Sequence, residues 1–154
     1  MTIRGGCLCG GVQYEISGKL HDAGNCHCSM CRRTHGAAFG TYARVDADEF
    51  RWLSGENLIA TYESSPGGYR CFCRQCGSPL GARAEGGKLG WVTLGTVTGD
   101  PGLRPGAHIF VGSKAPWYEI TDDIPQFDEW PPGFGPNAGS ASFDSIGRSQ
   151  IPEK

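Results

Sequence analysis

Eight cysteines constrain the fold of this 154-residue chain most strongly, because all of them fall into three short clusters. The clusters are Cys7-Leu8-Cys9, Cys26-His27-Cys28-Ser29-Met30-Cys31 and Cys71-Phe72-Cys73-Arg74-Gln75-Cys76. Thiolates two or three residues apart can converge on one tetrahedral ion, and this arrangement is the preference of Zn²⁺. Such close neighbours are poorly placed to form a disulfide with each other. The pattern therefore indicates a zinc-binding protein rather than scattered buried cysteines.

Glycine supplies 25 residues and proline 10, which favours short strands and turns over a helical bundle. No long stretch has the 3.6-residue apolar period of an amphipathic helix. We therefore expect a mainly β domain over residues 1–132, with a short helix at 29–34, and a Gly/Ser/Pro-rich C-terminal tail over 133–154. The predicted strands cover 10–18, 37–45, 50–53, 58–62, 69–73, 80–84, 89–94 and 108–111, with 50–53 and 58–62 forming a hairpin around the turn at 54–57.

The charge balance argues against nucleic acid as a partner, because the net charge is −2 and the pI is about 6.1. There is neither the apolar region of a secretion signal nor a run of roughly 18 apolar residues that could cross a bilayer. We expect a cytoplasmic protein, in which clustered cysteines serve metal or redox chemistry more often than disulfides. A thioredoxin-like pair, Cys28/Cys31 or Cys73/Cys76, is an alternative. The third cysteine upstream of each pair favours chelation.

Local geometry groups the cysteines into half-sites. In an extended segment, residues two apart point to the same face, which pairs Cys7 with Cys9 and Cys26 with Cys28. Cys31 reaches back from the following turn. Cys73 joins Cys76 through a knuckle whose next residue, Gly77, tolerates positive φ. Spacing leaves open which clusters combine, and whether two Cys₄ sites form or one site has three ligands. A closed Cys₄ site is structural, whereas three protein ligands leave a position for water or substrate.

Several segments between Gly5 and Pro131 form a recognisable series in this order: 5–12, 25–33, 70–77, 108–111, 113–117, 125–127 and 130–131. Together they resemble the glutathione-dependent formaldehyde-activating enzyme family, which shares its domain with centromere protein V. The resemblance implies a β-tent fold of folded antiparallel sheets, stabilised by two zinc ions per chain.

In that family, one zinc is structural and the other is catalytic. The resemblance assigns the structural ion to Cys7, Cys9, Cys73 and Cys76. It assigns the catalytic ion to Cys26, Cys28 and Cys31, with an open position for a thiol such as glutathione. The implied activity is that of a carbon–sulfur lyase similar to S-(hydroxymethyl)glutathione synthase, which adds the thiol to formaldehyde or a related small aldehyde.

Two other function classes are alternatives. A non-catalytic zinc module that binds a protein partner is suggested by relatives near centromere protein V, and a closed second Cys₄ site would favour it. A methionine sulfoxide reductase shares the tent architecture but needs a reactive cysteine in its C-terminal part. The chain has no cysteine after Cys76, so we reject that reading.

Several residues near the clusters have more than one interpretation. Cys71 is either a spare thiol packed near the structural zinc or a fourth ligand that closes the second site. His27 either supports the site from outside the ligand shell or is simply a packed histidine. Four arginines would offset thiolate charge and bind the carboxylates of glutathione, or are merely solvated surface residues: Arg32, Arg33, Arg70 and Arg74.

Overall fold

The computed structural model describes residues 2–135, which contain ten strands and one α-helix. The elements are β1 Ile3–Gly6, β2 Gln13–Ile16, β3 His21–Cys26, α1 Ser29–His35, β4 Gly40–Arg44, β5 Phe50–Ser54, β6 Ile59–Ser65, β7 Gly68–Cys73, β8 Pro79–Ala84, β9 Leu89–Thr93 and β10 Ala107–Ile109. The contacts divide them between two compact units. The first unit comprises residues 2–21 and 42–103, and the second comprises residues 22–41 and 104–135.

The first unit is built from antiparallel strands. One sheet has the order β1-β2-β5, and the other strands follow the order β4-β9-β8-β7-β6. A core of Tyr14, Phe50 and Trp52 forms where β2 meets β5, with the Tyr14 and Phe50 ring centroids 5.3 Å apart. A second core cluster contains Cys7, Val12, Cys73 and Leu80. The cysteine-bearing loops are therefore anchored in buried apolar side chains, each worth about 1.5–3 kcal/mol for a residue of the size of Val or Leu.

The second unit contains a parallel strand pair, since Ala107 lies opposite Gly24 and Ile109 lies opposite Cys26. This register places His108 beside β3 and, through an isolated bridge, beside Gln126. After β3, the chain turns directly into α1. The helix is short because Gly36 adopts the left-handed conformation at its end, with φ 59°, and donates its N–H to the Arg32 carbonyl.

The prediction of a mainly β chain with little helix is confirmed. The one predicted helix, at 29–34, matches α1, and the eight predicted strand regions overlap β2 and β4 to β10. Within the described residues, the expected antiparallel pattern is broken where β3 pairs with β10 in parallel. Most of the predicted tail, residues 136–154, lies outside the described residues.

The predicted hairpin between 50–53 and 58–62 is wrong. β5 pairs with β2, whereas β6 pairs with β7, so the two strands belong to different sheets. Gly55 has φ 71° and precedes a 3-10 turn at Glu56–Leu58. A Cβ on Gly55 would lie 2.0 Å from the Gly11 carbonyl oxygen, so this close backbone approach requires glycine. The turn redirects the chain into the second sheet instead of folding it back.

No helix in the described part of the chain is long and apolar enough to cross a membrane.

Candidate metal centres

Four cysteines of the first unit bring their sulfurs together, and we call them the four-cysteine cluster: Cys7, Cys9, Cys73 and Cys76. All four Sγ atoms lie within 4.8 Å of one another. The Cys7 and Cys9 sulfurs are 3.4 Å apart, and those of Cys9 and Cys73 are 3.9 Å apart. The β1–β2 connection carries one pair, and the end of β7 with the turn after it carries the other. The arrangement has the donor set and the convergence that a tetrahedral thiolate site needs.

The two loops of the four-cysteine cluster have similar turns. Gly10 has φ 74° and donates its N–H to the Cys7 carbonyl at 3.0 Å. Gly77 has φ 76° and donates its N–H to the Cys73 carbonyl at 2.8 Å. The positive φ predicted for Gly77 is therefore observed. In both loops, glycine lets the chain curl around the first cysteine so that two sulfurs face the same point.

Ser78 supports the four-cysteine cluster and was not singled out from the sequence. Its Oγ accepts the Leu8 N–H at 2.9 Å and lies 3.3 Å from Cys76 Sγ, to which it can donate. The Val12 N–H donates to Cys7 Sγ at 3.2 Å. Donors of this kind orient ligands and spread the negative charge of thiolates. The only sequence signal for Ser78 is a hydroxyl residue two positions after the last cysteine.

The thiols of this cluster differ in acidity. The Ser78 hydroxyl and backbone N–H groups lower the pKa of Cys76 to about 5. Burial would raise the pKa of Cys7, but the Val12 N–H and the thiols of Cys9 and Cys73 outweigh burial and lower the pKa. The Gly11 N–H lowers the pKa of Cys9, yet the adjacent sulfurs, with Cys7 first, raise it to about 11. Neighbouring thiols in this cluster cannot all lose their protons easily without a cation to balance the charge. A divalent cation would displace the remaining protons, so the residues fit a metal ion.

Three cysteines of the second unit form the three-cysteine cluster: Cys26, Cys28 and Cys31. Their sulfurs also lie within 4.8 Å of one another. Cys26 ends β3, Cys28 caps α1 and Cys31 lies in its first turn. The Cys31 N–H donates to Cys28 Sγ at 3.4 Å. Hydrogen bonds from the Cys26 and Cys31 thiols lower the pKa of Cys28 to about 2. The pKa of Cys26 is raised, because its thiol donates to Cys28. One thiolate among crowded sulfurs is a donor set that fits a cation.

Cys71 belongs to neither group of sulfurs among the described residues. It is only 3% exposed and lies at a cavity of about 430 Å³, which is also lined by Trp52, Arg83 and Leu89. Burial raises the pKa of Cys71, against the opposing charge of Arg83. A buried protonated thiol in this position has the features of a packed core residue.

Three polar side chains are linked by hydrogen bonds that begin at His27, between Cys26 and Cys28, and they were not predicted as a unit. His27 Nε2 is 2.7 Å from His108 Nδ1. His108 Nε2 is 3.1 and 3.2 Å from the two carboxylate oxygens of Asp122. Both imidazoles are buried, at 0% and 1% exposure. We call this arrangement the His–His–Asp chain. The parallel pairing of β3 with β10 brings His27 and His108 together. Sequence spacing alone gives no reason to group residues 27, 108 and 122, so this chain was not predicted.

Burial is the main cause that lowers the pKa of His27 to about 4, and the charges of His108, Lys114 and Arg32 act in the same direction. The hydrogen bond from His108 lowers the pKa of Asp122. Aromatic rings enclose His27, with the centroid of Phe39 at 5.0 Å and that of Tyr118 at 6.0 Å. The His27 ring is therefore neutral at neutral pH and firmly packed.

The four arginines near the clusters have different environments. Arg70 donates to the Tyr42 hydroxyl at 2.8 Å and to Ser64 Oγ at 3.0 Å, and Arg74 donates to the Ile59 carbonyl at 3.4 Å. Arg33 is exposed on α1. The Nε atom of Arg32 is buried and has no hydrogen-bond partner among the described residues.

A third group of possible ligand atoms occurs at the surface. It comprises His21, Asp46 and Glu49, none of which is buried. Arg44 donates to Asp46 at 2.9 Å, so this carboxylate already has a cationic partner. Exposed carboxylate groups of this kind are weak evidence for a metal.

Comparisons with known proteins agree with the cysteine pattern. The sequence profile of the family described as "Glutathione-dependent formaldehyde-activating enzyme" matches residues 2–113. A relative from Halomonas elongata, named "Putative glutathione-dependent formaldehyde-activating enzyme", is 34% identical over 90 residues, which cover 52% of this chain and 55% of the relative. The chain thus spans about half the length of that relative.

A solved structure is similar to part of this chain. The crystal structure of a Rhodobacter sphaeroides protein has a TM-score of 0.50 and 27% sequence identity, over 63% of this chain and 89% of the other. The family match extends over more than half of the chain and includes all eight cysteines. The chain therefore belongs to the glutathione-dependent formaldehyde-activating enzyme family.

Proposed function

We propose that this protein is a zinc-dependent carbon–sulfur lyase that adds glutathione, or a similar small thiol, to formaldehyde or a related aldehyde. The proposal gives the four-cysteine cluster a structural zinc and the three-cysteine cluster a catalytic zinc. It is supported chiefly by one observation: the group formed by Cys26, Cys28 and Cys31 contains three possible ligand atoms, and Cys71 is not among them. Zinc is normally four-coordinate, so three protein sulfurs leave one position for a substrate.

A zinc ion held by these three residues would supply Lewis acidity and keep a bound thiol deprotonated. The residues of the chain would provide the rest. The three sulfurs lie at the junction of β3 and α1 and would hold the ion there. Between two of these ligands in the sequence, the buried His27 ring packs against Phe39 and Tyr118. Arg33, which is exposed on α1 two residues after Cys31, would bind a carboxylate of glutathione in this proposal.

The proposed reaction joins two molecules without any redox change. The thiolate sulfur attacks the carbonyl carbon and forms the new C–S bond, while the π electrons of the carbonyl move to oxygen. The thiol proton leaves to solvent, and a solvent proton neutralises the oxygen, which gives an S-hydroxymethyl adduct. The protein would accelerate this addition mainly by holding the two reactants together in the right orientation.

Cobalt substitution tests the open position. In Co²⁺-loaded protein, the thiolate charge-transfer and d–d bands should change when millimolar glutathione is added, because a fourth sulfur enters the coordination shell. The Cys28→Ser variant should lose this response. Cys71→Ser is the matched control, and it should keep both the response and the metal content of the parent.

The rate of adduct formation above the spontaneous reaction of glutathione with formaldehyde then tests turnover. An unchanged cobalt spectrum together with a rate equal to the spontaneous one would sink the lyase proposal. That result, combined with loss of metal from Cys71→Ser, would favour the non-catalytic zinc module that binds a partner.

A further inference from the structure

The strand β6 lies at the end of its sheet, since it pairs with β7 on one side and with no other described strand. A contact just before β6 shows which of its backbone groups face β7. The Arg74 N–H donates to the Leu58 carbonyl at 2.8 Å, so Leu58 occupies a hydrogen-bonded position opposite Arg74. In an antiparallel pair, such positions recur at every second residue. Ala60 and Tyr62 therefore direct their backbone N–H and C=O groups towards β7.

The alternate residues of β6 direct the same groups away from β7: Ile59, Thr61 and Glu63. A hydrogen bond of β7 agrees with this assignment. Cys73 lies opposite Ile59, yet its N–H donates to the Ser78 carbonyl at 3.0 Å, on the side of β7 where β8 pairs. The backbone of Ile59 is therefore turned outward, and so are those of Thr61 and Glu63.

Part of this outer edge is covered and part is open. The Arg74 side chain donates to the Ile59 carbonyl at 3.4 Å and occupies that acceptor. Thr61 and Glu63 are exposed, and their four backbone N–H and C=O groups have no partner among the described residues. Over 59–63 there is neither proline nor lysine, and the irregularity in the pairing comes only after Glu63. An edge of this kind can pair with another strand.

We propose that this protein forms a homodimer in which β6 of a second copy pairs with β6 in antiparallel orientation, around a twofold axis at Tyr62. The inference goes beyond the proposed function and does not depend on it. When two copies use the same strand across a twofold axis, the strands are antiparallel and each copy makes the same contacts. Both copies then use the open segment 61–63.

The positions of the open groups select one register. With Tyr62 opposite Tyr62, Thr61 of each copy lies opposite Glu63 of the other, and these two pairs form four hydrogen bonds. A register with Glu63 opposite Glu63 retains only two of them and places like charges opposite each other, which is destabilising. A register with Thr61 opposite Thr61 brings Glu63 opposite Ile59, whose carbonyl already accepts from Arg74.

The side chain at the axis also favours a second copy. Tyr62 is 66% exposed in the single chain. At the axis, the two Tyr62 residues form a non-hydrogen-bonded pair, in which the Cα atoms are about 4.5 Å apart and the side chains are close. An aromatic pair at such a position removes apolar surface from water and stabilises the pairing of the strands.

The cavity beside Thr61 adds charge complementarity. Its lining contains three cationic residues and one acidic residue: Arg51, Arg83, Lys88 and Glu56. Two of the cations contact carboxylates outside the lining, but Arg83 forms no ion pair with a described carboxylate. Side chains two apart on a strand share a face, so Glu63 of the second copy would lie across from Thr61 on the face of this cavity. The second copy thus brings an acidic group to a face that has an unpaired cation.

Hydrogen exchange and sedimentation test the dimer. An interface of three residues from each copy is small, so we expect weak association that depends on concentration. Sedimentation equilibrium of zinc-loaded protein up to about 1 mM should show monomers in equilibrium with dimers. Exchange of the Thr61 and Glu63 amides, measured by NMR in the same series, should slow as the dimer forms. The Tyr62 amide should be protected at every concentration. A monomer throughout, or unchanged exchange at Thr61 and Glu63, would overturn the inference.

Substitutions of Tyr62 test the register, because residue 62 faces itself across the axis. Tyr62→Lys and Tyr62→Asp should each raise the dissociation constant of the dimer at least about tenfold, through like-charge repulsion and loss of the ring contact. An equimolar mixture of the two variants should recover most of the association, because opposite charges then meet at the axis.

Trp117→Asp is the matched control, because Trp117 is 71% exposed in the second unit. It should dimerise like the parent, and circular dichroism melting should show that all three variants are folded. Undiminished association of both Tyr62 variants, or a mixture that stays monomeric, would contradict the proposed interface.

Discussion

At the scale of single residues, Ser78 illustrates how a group outside the ligand set affects a candidate metal site. Its hydroxyl is the largest single cause of the lowered pKa of Cys76 and also accepts the Leu8 N–H, so it ties both loops of the four-cysteine cluster together. Removing a supporting hydrogen bond of this kind typically lowers metal affinity by about 10–100-fold. We expect Ser78→Ala to remain folded in excess zinc and to release the ion to a chelator at a correspondingly lower chelator concentration.

Ser17→Ala provides the control for that measurement. The Ser17 hydroxyl donates to the Glu49 carbonyl at 3.3 Å in an exposed position, and Ser17 belongs to neither cysteine cluster. Its chelator titration should overlay that of the parent. If Ser78→Ala also overlays the parent, the Ser78 contact to Cys76 has no role in holding the metal.

The pairs Cys7/Cys9 and Cys73/Cys76 and the trio 26, 28 and 31 were predictable because cysteine spacing is a local property, whereas the joining of the two pairs, 64 positions apart, was implied only by the family resemblance. Residues two or three apart must lie close together whatever the rest of the fold does.

The role of His108 was not predictable, because its partner His27 lies 81 positions away, and the role of Asp122 depends on His108. Ser78 is close to Cys76 in sequence, but its contact with Leu8 spans 70 positions and has no local signal. The contact between His27 and His108 depends on a parallel register between β3 and β10, and nothing in the local pattern of either segment specifies that register.

At the scale of elements, the same distinction explains what the sequence revealed about the strands. Alternating apolar residues and glycine-rich turns located most strands, because both signals are local. Pairing was harder. The segments 50–53 and 58–62 read as a hairpin, but the approach of Gly55 to Gly11 and the 3-10 turn send them into different sheets. Gly11 is more than forty positions before Gly55, so the sequence around Gly55 contains no signal for this close approach.

The four-cysteine cluster joins elements of both sheets of the first unit, since Cys9 follows β1 and Cys73 ends β7. Zinc binding in small structural sites is worth ~10–16 kcal/mol. A whole domain is usually stable by only ~5–15 kcal/mol. We therefore expect Cys73→Ser to abolish cooperative thermal unfolding or to aggregate. Cys28→Ser should remain folded, because its cluster lies within one short stretch of the chain.

Cys71→Ser is the matched control for this comparison, because Cys71 is also buried and lies two residues earlier on the same strand. It should keep a cooperative melting transition, measured by circular dichroism. Equal and cooperative melting of Cys73→Ser and Cys28→Ser would refute the division between a structural and a catalytic site.

At the scale of the whole molecule, Tyr14 links stability to pH. Burial raises the pKa of Tyr14 to about 12, against a hydrogen bond to the Thr96 hydroxyl at 2.8 Å that acts in the other direction. In the unfolded chain, tyrosine titrates near pH 10. The folded-state pKa is the higher one, so the stabilisation is complete below about pH 10 and is lost as the pH rises towards 12.

The difference of about two units between the folded and unfolded pKa of Tyr14 corresponds to roughly 3 kcal/mol of unfolding free energy. We expect Tyr14→Phe to lose about 1 kcal/mol at neutral pH, through the missing bond to Thr96. The same variant should lose stability less steeply than the parent between about pH 10 and 12. Urea unfolding at a series of pH values measures both effects. Parallel pH profiles for the two proteins would show that Tyr14 is not the titrating group.

The placement of the cysteines along the chain has a consequence for biosynthesis. The three-cysteine cluster spans residues 26–31, so all its sulfurs leave the ribosome almost together. Cys9 and Cys73 of the other cluster are separated by 64 positions, and that cluster stays incomplete until Cys76 has emerged. The entropy of closing so long a loop must also be overcome before the four sulfurs meet. During translation, the first zinc ion to be captured is therefore expected at the cluster that we assign to catalysis, while the structural ion enters last and completes the folding of the first unit.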